Sequence, residues 1–298
     1  MANKKAIVFG SNGMLGQRLT EYILSLNYEI ICSSAEEESF IKNVDYKQAD
    51  ISSKQDVKAV FNGFKPDFVF NAAAYTNVDK CESERELAWK INVTGVNNII
   101  YGARLAKAHM VHISTDYVFD GANGPYYEED PVNPVSYYGR TKLASENEFK
   151  LSGISYSVLR TNVLYGNARY GRPDFVKWVV TSLKEGKEIK IVTDQFNNPT
   201  YLDDLARAMV LASEGKHQGI YHIGGAEFLN RYEFTLRIAD YFQLDEKLIK
   251  PILTSDLNQP ASRPLKSGLI TTKARSEMGY NPTNMDETFK LMKAELNL

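Results

Sequence analysis

The stretch KKAIVFGSNGMLG, residues 4–16, runs an apolar, strand-like segment straight into three glycines, Gly10, Gly13 and Gly16, that open a helical pattern. At such a junction each glycine has a mechanical use: a tight turn, a close approach of backbone to a pyrophosphate, and close packing of helix on strand. The positive helix end then faces the phosphates. The spacing is GxxGxxG, one residue longer in its first gap than the GxGxxG pattern, and glycines also serve ordinary turns. Position carries the reading. The loop backbone of Gly10, Asn12, Gly13, Met14, Leu15 and Gly16 is the expected seat of a dinucleotide.

Working outward, YEIICSS, PDFVFNAA, HMVHIS and SYSVLRT repeat the strand-like character of the first run. Helical patterns lie between them, as in LGQRLTEYILSL, where Leu15, Leu19, Tyr22, Ile23 and Leu26 recur at helical spacing. Strands that read as continuous apolar runs are buried on both faces, so the sheet should be parallel with helices on each side. The expected fold class is α/β, a doubly wound parallel sheet of Rossmann type with a smaller C-terminal substrate-binding domain. Residues 1–165, with returning segments near 189–223, would form the dinucleotide-binding domain. Residues 166–188 and 224–298, where the pattern loosens, would form most of the cap.

The ends of the early strands supply further cofactor candidates. The second strand closes on Cys32, Ser33 and Ser34 where an acid usually holds the ribose hydroxyls, and Glu36, Glu37 and Glu38 arrive late. Ser33 is taken as a contact. Arg18, just past the last glycine, could face a 2'-phosphate or simply be a solvated helix arginine, and it leans the reading from NAD to NADP. Asp50 and Ile51, after a third short strand, are candidates for the adenine, with capping of the next helix as the alternative for Asp50.

The segment SYYGRTK, residues 136–142, pairs a tyrosine with a lysine four positions on. With 18 tyrosines and 23 lysines in 298 residues, one such match is expected by accident, so context must decide. Helical residues advance about 100° each, which puts Tyr138 over Lys142 and turns Tyr137 away. A phenol beside an ammonium exchanges protons more easily, and such a pair suits hydride transfer to a carbonyl. Thr115, with Ser114 as second choice, ends the HIST strand where open α/β sheets hold ligands, and is placed to polarise the carbonyl oxygen.

NAAAYTNVDKCE, STDYVFDG, YYGRTK, LRTNVLYG and DQFNNPTYLDDLA, in this order after GSNGMLG, resemble the extended short-chain dehydrogenase/reductase family, and within it the dTDP-4-dehydrorhamnose reductase branch. The likeness covers nearly the whole chain. It implies a catalytic set of Thr115, Tyr138 and Lys142. Asn71, Ala72, Ala73 and Tyr75 would line the cofactor, and Asn92 in KINVTG would match the helix-bending asparagine that holds a water near the lysine. Arg160, Thr161 and Asn162 would follow the strand beneath the nicotinamide. Asp116 and Tyr117 would lie beside the sugar, and Arg263 is a candidate pyrophosphate ligand, with a rim salt bridge as its alternative. Asn162 and Val163 stand where many of these reductases carry Ser and Trp. Dehydratases of the family place Asp-Glu next to the threonine, whereas Asp116 is followed here by Tyr117. The implied activity is NAD(P)H-dependent reduction of the 4-keto group of a nucleotide-linked 6-deoxysugar. The competing readings are an epimerase on the same scaffold and a non-catalytic NADP-binding subunit, like the regulatory subunit of methionine adenosyltransferase.

Composition fits this picture. Hydrophobic residues at 43% and charged residues at 24% are ordinary for a globular chain, and a net charge of -2 leaves no basic surplus for nucleic acid. No apolar run reaches membrane-spanning length and the N-terminus lacks a secretory pattern, so a cytoplasmic location is expected, with a homodimer left open. No metal is expected: the two cysteines, Cys32 and Cys81, lack CxxC spacing, and His112 and His222 fall in apolar strands as hydrogen-bonded core residues.

Overall fold

The computed structural model describes residues 3–171 and 173–296. Its centre is a seven-stranded sheet in which every neighbouring pair is parallel. In chain order the strands are β1 (Lys5–Phe9), β2 (Glu29–Ser34), β3 (Asp45–Gln48), β4 (Phe68–Asn71), β5 (His109–Thr115) and β6 (Tyr156–Thr161), with Gly219–Ile223 added beyond β6. The spatial order 3-2-1-4-5-6 followed by Gly219–Ile223 reverses direction between β1 and β4. At that reversal the helices leave on opposite faces, and a crevice opens past the strands' C-terminal ends.

The apolar runs are buried on both sides, as a parallel sheet demands. Ala6, Val8, Ile30, Phe68 and Phe70 pack beneath α1 (Met14–Ser25), while Ile7, Ile31, Val69 and Met110 face the opposite layer. The helical stripe of α1 buries Leu15, Leu19 and Ile23; Leu26 falls on the C-cap and is exposed. The far layer contains α2 (Lys54–Phe61) and α5 (Val96–Ala106), entered through a wide π-helical turn, Lys90–Gly95. Two short helices precede that turn, α3 (Val78–Ser83) and α4 (Arg85–Trp89), and α6 (Tyr137–Ser152) follows β5.

The cap has a core of its own, in which α7 (Phe175–Lys184), α9 (Arg231–Phe242) and α11 (Met285–Leu296) gather around Tyr165, Phe234 and Phe289. One expected boundary is corrected here. The strand Ile189–Val192 pairs with Ile249–Ile252 inside the cap, so the returning segment begins at Thr200 rather than near 189. From there α8 (Leu202–Glu214) and Gly219–Ile223 rejoin the main sheet. A second return was not expected: α10 (Thr272–Met278) buries Ala274 and Met278, with Tyr280, against the same layer as α1. Their few large apolar residues only become core once α8 lies beside them.

Candidate active site

The loop after β1 is shaped by what its glycines lack. Gly10 has φ +77°, and a Cβ there would lie 2.5 Å from the Ala73 nitrogen; a Cβ on Gly16 would lie 2.0 Å from the Gly10 carbonyl oxygen. The absence of side chains lets β1, the β4 exit and α1 converge. Gly13 is the N-cap of α1, offers no side-chain cap, and no acid occupies the first turn. The first N–H groups of α1, from Met14 and Leu15 on, therefore present a positive, uncapped end toward the crevice, which fits a pyrophosphate.

Asn12 is a support for this loop. Its amide donates to Glu36 and to the Glu38 carbonyl, and its Oδ1 accepts from the Phe40 N–H at 2.9 Å, so it pins residues 36–40. The Ser33 carbonyl accepts from Gly10 N–H at 2.7 Å, while its hydroxyl is buried without a partner. Asp50 is exposed and accepts from Ser52 N–H; the helix cap is Ser53. Ile51 packs against Gly95.

Arg18 does not face a phosphate. Its guanidinium forks onto Asp203 and also meets Glu295, tying α1 to α8 and α11. The residue that leaned the reading to NADP is thus a structural tie, a pairing of elements 185 positions apart that no local pattern contains.

At the β4 exit, Asn71 Oδ1 accepts from Ala73 N–H at 3.1 Å, which fixes its amide so that Nδ2 donates to His112 Nδ1 at 3.0 Å. His112 is fully buried, held neutral by desolvation, and its remaining Nε2–H lies 3.2 Å from Ser145 Oγ. Asn92 sits in the π-helical turn. It brackets Tyr75, accepting from its N–H and donating to its carbonyl, and donates to Thr141 Oγ1 on α6. Its amide therefore holds the β4 exit loop to α6, while the Tyr75 hydroxyl binds Glu84.

The catalytic candidates meet where β5 ends and α6 begins. Ser136 caps α6 by accepting from Gly139 N–H. On the first turn Tyr137 points outward, its N–H on Glu82 and its ring under Arg85. Tyr138 points inward, edge-on to Tyr117 with ring centroids 5.7 Å apart. Burial, then Asp116 and Tyr117, raise the Tyr138 phenol well above its ordinary value; the Thr115 hydroxyl beside it acts the other way. The Lys142 ammonium donates to the Ile113 carbonyl at 2.7 Å, and desolvation lowers it to about 8 against a pull upward from Glu146. The expected lowering of the phenol by the lysine is therefore corrected: Tyr138 stays protonated, the state a proton donor needs.

Thr115 Oγ1 accepts from Tyr117 N–H and donates to Asp116 at 3.0 Å. Asp116 is buried, its carboxyl raised by desolvation, and it also accepts from Ser267. It is thus a hidden brace for Thr115 rather than a free sugar ligand. Ser114 donates to Glu146 and is turned into the core.

Two arginine assignments change. Arg160 is 2% exposed; it forks onto Glu146 at 2.7 and 2.9 Å and reaches the Glu128 carbonyl. Its guanidinium is fully engaged in the core beneath β6, so it is not a cofactor ligand. Arg263 forks onto Asp79 at 2.7 Å, holding that carboxyl below the usual range. The salt-bridge alternative is the one observed.

Among the described residues, four buried side-chain polar atoms have no partner: Ser33 Oγ, Thr161 Oγ1, Asn162 Oδ1 and Arg231 Nη1. The first three lie at or just beyond strand ends, on the crevice rim. Buried polar groups are otherwise almost always satisfied, so each of these atoms is short of one hydrogen-bond partner. Ser267 and Arg231 escaped the sequence reading because both come from the cap, far along the chain, with no motif around them. These residues fit a dinucleotide along α1 and a second ligand between Tyr138 and the cap.

The chain has relatives of known name. The chain is 31% identical to the spore coat polysaccharide biosynthesis protein SpsK of Bacillus subtilis, covering 96% of this chain and 95% of that protein. It is 30% identical to a dTDP-4-dehydrorhamnose reductase of Aggregatibacter actinomycetemcomitans, over 97% and 98% of the two chains. The crystal structure of a dTDP-4-dehydrorhamnose reductase of Bacillus anthracis in complex with NADP superposes with a TM-score of 0.86 at 31% identity, covering 99% and 100%. Residues 4–298 match the RmlD substrate binding domain, and the chain belongs to that family.

Proposed function

We propose that this protein is an NAD(P)H-dependent reductase of the 4-keto group of a nucleotide-linked 6-deoxysugar, converting dTDP-4-dehydrorhamnose to dTDP-L-rhamnose. The observation that carries the reading is the Tyr138 ring on the inner side of α6, edge-on to Tyr117, with the Thr115 hydroxyl at the end of β5 beside its phenol. When bound, the reduced nicotinamide supplies a hydride. Tyr138 gives its proton to the oxygen of the former ketone, so the carbonyl gains one hydride and one proton. The Thr115 hydroxyl, held by Asp116, reaches that oxygen by rotating about its Cβ–Oγ1 bond. Lys142 lies one turn past Tyr138, its charge available to the cofactor ribose and to the Tyr138 phenolate left when the proton departs.

NADPH is the proposed preference. Ser33 and Ser34 end β2 with short hydroxyls instead of an acid, which leaves a 2'-phosphate unopposed at that strand end, and the Bacillus anthracis relative binds NADP. No helix among the described residues is long and apolar enough to cross a membrane, and the reading puts the reaction in the cytoplasm.

The test mixes purified protein with dTDP-4-dehydrorhamnose and either reduced nicotinamide cofactor, following loss of the reduced form. One cofactor oxidised per sugar reduced is expected, faster with NADPH. Conversion without net oxidation would indicate an epimerase, and no turnover of any 4-keto nucleotide sugar would leave a binding subunit.

A further inference from the structure

Arg231 is the first residue of α9, and nothing in the dinucleotide seat or the catalytic set requires it. Its guanidinium carbon stacks 4.5 Å from the centre of the Phe175 ring, and its Nη1 is buried without a partner. No carboxylate pairs with it among the described residues. The acid nearest on its own helix, Glu233, is committed to the capping box with Asn230. Its charge acts on Tyr117 and Asp116, so it faces the Tyr117–Tyr138 corner from the cap side.

A cation with a shielded, unpartnered N–H and no counter-ion is costly unless an anion arrives. Of the other cations near this corner, Arg263 is neutralised by Asp79 and Lys142 is held by the Ile113 carbonyl. In a nucleoside-diphosphate sugar whose hexose is uncharged, the diphosphate carries the negative charge. It leaves the sugar ring at the anomeric carbon, across the ring from C4. With the C4 ketone at Tyr138, the diphosphate lies on the far side of the hexose ring, and Arg231 acts on Tyr117, whose ring centre is 5.7 Å from that of Tyr138.

We propose that Arg231 binds a phosphoryl oxygen of the substrate's diphosphate and anchors the nucleotide sugar from the cap. The inference rests on the nucleotide-sugar reading above, and its test separates the two. Arg231→Met and Arg231→Lys would be titrated, saturated with NADP, against thymidine diphosphate and against thymidine by calorimetry. Losing a charge-assisted hydrogen bond in a shielded site should weaken thymidine diphosphate about 10–100-fold in the methionine variant, and less in the lysine variant. Thymidine binding and NADP affinity should stay near wild type, the methionine variant should melt no lower than wild type, and the substrate KM should rise with kcat little changed.

Wild-type affinity for thymidine diphosphate in Arg231→Met overturns the assignment. So does an equal loss for thymidine together with a lower melting temperature, which would make Arg231 a staple on Phe175. Arg231-dependent diphosphate binding by a protein that turns nothing over would sustain the inference and end the reductase reading. Turnover with an unchanged KM in Arg231→Met would do the reverse.

Discussion

Replacing Lys142 with methionine should end turnover and make the protein more stable. Lys142 is 2% exposed, and burial lowers its ammonium from the ordinary 10.5 to about 8. Keeping that group charged inside the fold at neutral pH opposes stability by about 3 kcal/mol. Methionine has nearly the same length and no charge, but it gives up the hydrogen bond to Ile113, a loss of about 1–2 kcal/mol. The balance is a gain of about 1–2 kcal/mol, or roughly 2–3 °C in melting temperature for a chain of this size. The pH dependence has a definite sign. Between about 8 and 10.5 the unfolded lysine holds its proton and the folded one has released it, so wild-type stability rises with pH through that window. The advantage of the variant should be full below pH 8 and gone above 10.5. Denaturant melts of both proteins at several pH values measure it. A variant less stable than wild type at neutral pH, or a gap that ignores pH, would refute the reasoning.

The two neighbouring tyrosines should part company in steady-state kinetics: Tyr138→Phe should lower kcat by about 10²-fold or more with cofactor affinity retained, and Tyr137→Phe, which faces Arg85, should stay near wild type. Equal effects of the two would remove Tyr138 from its role. Glu146→Ala should destabilise the fold by about 3–5 kcal/mol in a denaturant melt, because it strands Arg160 in the core. Joint replacement of both residues by apolar ones should recover most of that loss. The pH profile of kcat/KM for reduction should fall above about pH 8 as Lys142 loses its proton, with no limb from Tyr138 below it. A flat profile to pH 10 would contradict the need for that charge.

The parallel sheet and the glycine loop were legible because they rest on local signals: apolar runs, helical spacing, and glycines at one junction. Tyr138 was separable from Tyr137 for the same reason, since helix geometry orders residues four apart. The arginines were not legible. Arg18 and Arg160 read as cofactor-side residues and Arg263 as either a phosphate ligand or a salt-bridge partner, yet folding brings Asp203, Glu146 and Asp79 to them, and Asp203 and Asp79 stand 185 and 184 residues away from their partners. Arg231 carried no reading, and no carboxylate among the described residues pairs with it. Residue type and spacing determined where the cofactor loop and the phenol stand. Which charges are already neutralised, and so which remain for a ligand, was decided only by tertiary contacts, because a buried charge takes its character from whatever lies within a few ångströms of it.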